Sequence, residues 1–110
     1  KIHAVIDWDD AVSGDPADDF GILCCFHEPE FIEAALTVYG RTHCVDDEFR
    51  ARVALHALRN MLWKTVIRHR LGYFEQGKSF FLNGNHAGMT LREYTLYKLG
   101  EAAKTLEMCV

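Results

Sequence analysis

Apolar and polar positions alternate over Lys1–Trp8: Ile2, Ala4 and Ile6 fall on one side, His3, Val5 and Asp7 on the other. That period of two, rich in β-branched residues, predicts a short N-terminal β-strand. A lone strand is not stable, so its partner must lie elsewhere, sequence outside this chain being one source. From Asp15 the pattern changes to helical spacing. Asp15 suits an N-cap and Pro16 a first helical position, while Asp18 and Asp19 sit where the helix dipole favours carboxylates. Phe20, Ile22, Leu23 and Phe26 carry this helix to His27. Pro29 opens a second helix with an apolar stripe of Phe31, Ile32, Ala35, Leu36 and Tyr39, and Gly40 is its expected C-cap. Asp46 or Asp47 caps the longest helix, which runs to about Leu71 and stops at Gly72. Its middle, Val53 to Trp63, is apolar over much of its circumference and so belongs to the core. Tyr73 to Met89 reads as a long loop with Phe80-Phe81-Leu82 as an anchor. Thr90 and Glu93 form a capping box for a last helix through Leu96, Leu99, Ala103 and Leu106. The outline is mainly α with one short strand, a single partial domain over residues 1–110.

Composition leaves this outline intact, since 49% apolar and 25% charged residues are ordinary for a globular chain. No apolar run approaches the ~20 residues of a membrane span, and no leader pattern opens the chain. The chain does not begin with Met, which leaves a fragment, a processed product or a trimmed piece as the three readings. Charge changes the picture more. Residues 1–48 hold 12 acidic and 2 basic side chains, whereas residues 49–110 hold 4 and 10. A metal or cation belongs with the first part and an anion with the second, unless the two parts face each other across the fold. The long helix carries Arg50, Arg52, Arg59, Lys64, Arg68 and Arg70. With few aromatics between them and a net charge of −4, these read as a solvated face paired with the acidic part, not as a nucleic-acid surface.

The candidate chemistry gathers in residues 7–19, where Asp7, Asp9, Asp10, Asp15, Asp18 and Asp19 crowd together. Carboxylates this close repel unless a cation, hydrogen-bond donors or water offset them, so a hard-metal site and a hydrated acidic turn are the two readings. Cys24, Cys25, Cys44 and Cys109 show no paired spacing. A zinc site from Cys24, Cys25, His27, His43 and Cys44 lacks the tight ligand pairs such sites use, and buried free thiols in a reducing cytoplasm fit better. His56 and Asn60 stand one turn apart on the long helix, close enough to hydrogen-bond within it.

Val5-Ile6-Asp7-Trp8-Asp9-Asp10-Ala11, followed by Gly14-Asp15-Pro16 and Asp19-Phe20, resembles the C-terminal lobe of the aminoglycoside phosphotransferase and choline kinase-like family, relatives of protein kinases. The likeness is close over residues 4–20; beyond that only the helical layout is shared. It implies a partial kinase-like C-terminal lobe in which Asp7 binds Mg²⁺ against the phosphates of ATP. It also implies that Asp19 braces the catalytic loop and that Asp15 with Pro16 starts a helix. The family's acceptor pocket is built largely by C-terminal helices, so the resemblance makes Asp46, Asp47, Glu48 and Glu75 candidates to meet a cationic substrate. The parent enzyme would phosphorylate a hydroxyl of a small molecule.

The family's His-Gly-Asp catalytic loop with its metal-binding Asn, its nucleotide-covering lobe and its phosphate-binding lysine do not occur in these 110 residues. The chain is therefore expected to be inert alone, without a catalytic base of its own. Two other readings stand beside this one. One is a non-catalytic kinase-like module that pairs with a partner chain, either a second copy or a chain carrying the missing lobe. The other is a Ca²⁺-dependent nucleoside hydrolase, whose aspartate turn is tighter than the spacing found here.

Overall fold

A computed structural model describes residues 1–5, 11–75, 86 and 88–110. They form four α-helices, α1 (Ala17–Cys24), α2 (Pro29–Tyr39), α3 (Asp47–Arg70) and α4 (Leu91–Cys109), with one turn of 3₁₀ helix at Tyr73–Glu75. The protein is mainly helical, and no strand occurs among the described residues. The strand expected over Lys1–Trp8 is not found in its described part. Residues 1–5 form no regular structure, and Ile2 and Val5 are 83% and 65% exposed. A strand needs a second strand to pair with, and no other strand occurs among the described residues. Ile6 to Asp10, the rest of that strand, and the Phe80-Phe81-Leu82 anchor lie outside the described residues.

α3 is the axis of the molecule. Asp46 caps it by accepting the Phe49 backbone N–H at 2.8 Å, and it ends at Gly72, whose φ of +72° needs a residue without a β-carbon. Its buried row is Phe49, Val53, Ala57 and Met61, each one turn apart, with Ala54 beside them. α1 crosses α3 through Ala17 and Gly21, both buried. The approach at Gly21 is so close that a β-carbon there would lie 2.6 Å from His56 Cβ. α2 packs Ile32 and Leu36 against Phe49 and Val53. Phe20, Tyr39 and Phe49 close that end in a triangle with centroids 5.2–5.9 Å apart, a spacing aromatic pairs favour. The expected C-cap at Gly40 is in place, but its φ of −63° is right-handed, so its left-handed freedom is unused.

α4 returns antiparallel to α3, with Arg68 hydrogen-bonded to Thr95 near one end and Ala57 and Met61 packed on Ala102 further along. Both halves of its capping box are formed, Glu93 N–H to Thr90 Oγ1 at 3.2 Å and Thr90 N–H to Glu93 Oε2 at 2.7 Å. Its buried face departs from the one expected. Leu91, Tyr94, Thr95, Lys98 and Ala102 point inward, whereas Leu96 is 49% exposed, Ala103 is exposed, and Leu99 and Leu106 are half-buried. The helix is rotated because its polar groups find partners inside: Tyr94 donates to the Cys25 carbonyl at 3.0 Å and Lys98 to the His27 carbonyl at 2.7 Å. The apolar surplus on α3 is not all buried either. Leu55, Leu62, Trp63 and Val66 are 43–62% exposed on its outer side.

Candidate functional site

Asp7, Asp9 and Asp10 lie outside the described residues, and the downstream part of the acidic turn is bound to α3. Asp15 performs two jobs. Its Oδ1 accepts the Ala17 backbone N–H at 3.0 Å, and the helix starts at Ala17 with Pro16 at the N-cap position, one residue later than the Asp15–Pro16 start expected from the sequence. Its Oδ2 takes Arg52 Nε at 3.1 Å and His56 Nε2 at 3.2 Å. Asp18 also reaches α3: its Oδ1 accepts from Arg59 at 2.7 Å and Asn60 at 3.2 Å, with His56 Nδ1 3.5 Å away. His56 and Asn60 thus both serve α1 and do not bond to each other. The imidazole, 18% exposed, stands between two carboxylates at the closest point of the α1–α3 crossing. With the bidentate Arg50–Glu33 pair at 2.7 and 3.1 Å, these contacts realise the expected match between the acidic and basic parts of the chain. Asp19, in contrast, is exposed.

The carboxyls of Asp15 and Asp18 are shifted below the usual range. Asp15 is held below its usual range first by the Ala17 N–H, then by His56 and Arg52 against an opposing burial effect. For Asp18, burial pushes upward, and the bonds from Arg59 and Asn60 outweigh it. The Phe49 N–H lowers Asp46, and the hydrogen bond from His86 lowers Glu28. A depressed folded-state value means stability that is present above the unfolded carboxyl range and lost as pH falls through the folded one. Thermal melts should therefore be level near neutrality and fall progressively below about pH 4. Asp18→Asn should melt lower at neutral pH and lose less on acidification. A melting curve for that variant that keeps the parent's full acid dependence would remove Asp18 from this account.

The candidate substrate residues do not share a pocket. Asp46 caps α3, Asp47 is exposed in its first turn, and Glu48 pairs with Arg52 at 3.1 Å, whereas Glu75 lies beyond its far end. A helix of 24 residues puts about 36 Å between those two ends. Two features that the sequence did not announce are more prominent. Lys98, its side chain 2% exposed, sits among the His27 carbonyl at 2.7 Å, Glu101 at 3.5 Å and Glu28 at 4.0 Å. Glu28 is also bonded to His86. Beside Lys98 runs a half-open groove of about 340 Å³ between α2 and α4, with α3 as its floor.

No group of three His, Cys, Asp or Glu side chains among the described residues could hold a metal ion. By themselves these residues do not fit a magnesium–nucleotide site, because Asp15 and Asp18 are taken up by α3. The four cysteines are free. Cys25 is buried and Cys24 half-buried, as expected, but Cys44 and Cys109 are exposed. Burial pushes the Cys24 thiol up to about 11 and raises Cys25, so neither is an activated nucleophile. No helix among the described residues is long and apolar enough to cross a membrane.

No curated protein and no solved structure matches this chain. A family model described as the phosphotransferase enzyme family matches residues 1–69, a span that takes in the acidic turn, α1, α2 and most of α3. Matched over more than half its length, the chain belongs to the phosphotransferase enzyme family.

Proposed function

We propose that this chain is the C-terminal part of an ATP-dependent phosphotransferase that acts on a hydroxyl group of a small molecule, and that it is inert alone. The family match over residues 1–69 carries the reading, because it covers the stretch from Ile6-Asp7-Trp8 through Gly14-Asp15-Pro16 to Asp19. In this reading Asp7 is a carboxylate ligand of Mg²⁺, which neutralises phosphate charge when bound. Asp19 braces the catalytic loop, and Asp15 ties the turn to α3. The exposure of Asp19 agrees with a side chain whose partner comes from the remainder of the enzyme.

Mn²⁺ can stand in for Mg²⁺ and be followed through the relaxation of water protons. Weak binding is expected for the parent chain, lost in Asp7→Asn and kept in Asp18→Asn. Absence of binding in the parent, or binding unchanged by Asp7→Asn, would sink the assignment. Supplied with Mg²⁺, ATP and aminoglycoside or choline-like acceptors, the 110-residue chain should show no repeated turnover. Multiple turnovers would overturn its inertness.

A second reading has its own observation. The outer side of α3 exposes Leu55, Leu62, Trp63 and Val66, a large apolar surface for one helix. A kinase-like module that pairs with a second copy, or with a chain carrying the rest of the lobe, would cover it. Size-exclusion with scattering separates the readings. A dimer indifferent to Mg²⁺ and ATP favours the module, and a monomer stabilised by both favours the residual site.

A further inference from the structure

The outer side of α3 is charged at both ends and apolar between them. Glu48, Leu55, Leu62 and Val66 recur at intervals of seven and four residues, with Trp63 and Arg70 along the same side, so they share one face. Its apolar members are exposed, and Arg59 among them is already neutralised by Asp18 at 2.7 Å. The two ends carry opposite charge. Around the first two turns stand five carboxylates, Asp46, Asp47 and Glu48 with the bound Asp15 and Glu33, against the two guanidiniums of Arg50 and Arg52. Arg52 is shared between Asp15 and Glu48, so neither carboxylate has a cation to itself there. In the last two turns Lys64, Arg68 and Arg70 have no carboxylate within 4 Å among the described residues. Arg68 bonds instead to the Thr95 hydroxyl, and Lys64 lies over the Phe26 ring. Three negative charges in excess thus stand at one end and three positive at the other, along a helix about 36 Å long.

We infer that this side of α3 binds the same side of a second copy of the chain, the two helices running antiparallel about a twofold axis near Arg59. Arg59 is midway between Glu48 and Arg70, so that arrangement sets the acidic end of each helix on the basic end of the other, twice over. It also joins Leu55, Leu62, Trp63 and Val66 of both copies in one apolar seam. A parallel arrangement would set like charge on like. A face whose two ends complement each other is complementary to itself, which is what a twofold contact requires and an unrelated partner does not. The net charge of −4 on each copy opposes association, but charges beyond about 8–10 Å are screened, whereas the ends of the seam are in contact. The inference rests on the pairing reading given above, to which it adds the face, the partner and the orientation.

Sedimentation velocity over a range of concentrations, at low and high salt, tests it, with circular dichroism to check that each variant keeps the parent's helical content. A dimer that weakens with salt is expected. Leu62→Glu charges a half-exposed position in the middle of the seam, and should leave the monomer folded and abolish the dimer. Glu48→Lys and Arg70→Glu should each weaken the dimer about tenfold, because each sets like charges together at both ends of the seam. An equimolar mixture of these two variants should regain the parent's association. In the mixed pair the two reversed charges meet at one end and the two native ones at the other. Both reversals lie at exposed ends of α3, so they decide the orientation whether or not Leu62→Glu folds. A chain that stays monomeric overturns the inference and pairing with a second copy along with it. A dimer unaffected by Leu62→Glu, or a mixture no tighter than its components, overturns the antiparallel α3 contact and leaves the pairing reading standing through another face.

Discussion

Gly21→Ala should destabilise the protein by about 2 kcal/mol, whereas Gly100→Ala should stabilise it by about 0.5–1 kcal/mol, although both replace a glycine inside a helix. Helix propensity alone would have alanine win at both sites by about 1 kcal/mol, through the backbone entropy that glycine loses on folding. Surroundings decide the sign. At Gly100 nothing lies within 4 Å of the added methyl. At Gly21 the methyl would meet His56 Cβ at 2.6 Å, the Ala57 nitrogen at 2.9 Å and the His56 carbonyl carbon at 3.0 Å. Two of those atoms are backbone and none can rotate away. Carbon atoms rest about 3.5–4.0 Å apart, so α1 and α3 would have to separate by on the order of 1 Å. That movement loosens the burial of Ala17 and stretches the Asp15–His56 and Asp18–Arg59 contacts together. Urea unfolding followed by circular dichroism checks both variants. In a domain of this size the Gly21 change corresponds to a melting point lower by roughly 10 °C. A Gly21→Ala protein as stable as the parent would show that the two helices are not held this close.

Gly21 also marks where sequence reasoning stops. The boundaries of α2, α3 and α4 were legible because each begins with a strong local signal, namely Pro29, Asp46 and the Thr90–Glu93 box, and those signals act within a single turn. Gly21 carries no such signal, because its role depends on the presence of another helix 2.6 Å from a missing atom. The match between acidic and basic parts was readable from the charge split, but its partners were not. Asp15 and Asp18 lie 37 to 42 residues from the Arg52, His56, Arg59 and Asn60 side chains that hold them, and no local pattern encodes that pairing. Asp18 is the clearest case: the helix-dipole argument accounts for a carboxylate in the first turn of α1, but not for its hold on Arg59 and Asn60 of α3. The stripe of Leu96, Leu99, Ala103 and Leu106 failed for a related reason. Apolar spacing identified a helix, but burial was decided by Tyr94, Thr95 and Lys98 meeting carbonyls and a guanidinium.

Lys98→Met should cost about 3 kcal/mol, the low end of what removing one partner from a buried ion pair costs. Methionine retains most of the stem and its apolar contacts, so the change isolates the ammonium. With the charge gone, the His27 carbonyl loses its 2.7 Å donor, and Glu101 and Glu28 lose a cation 3.5 and 4.0 Å away. Those carboxylates are 36% and 35% exposed, and the water reaching them keeps the loss at the low end. The Lys98→Met/Glu101→Gln double variant should recover part of the loss, because it removes a carboxylate left facing a vacated position. Equal stability of single and double variants would mean that Lys98 acts through the His27 carbonyl alone. Acid titration gives a second check. The Glu28 carboxyl is held low first by its bond from His86 and less by Lys98, so it contributes stability above the ordinary glutamate range that is lost as pH falls below it. Lys98→Met should weaken that acid dependence without abolishing it, whereas His86→Ala should remove the larger share. If the two variants lost acid dependence in the opposite order, Lys98 and not His86 would be what holds the carboxylate of Glu28 ionised at the start of α2.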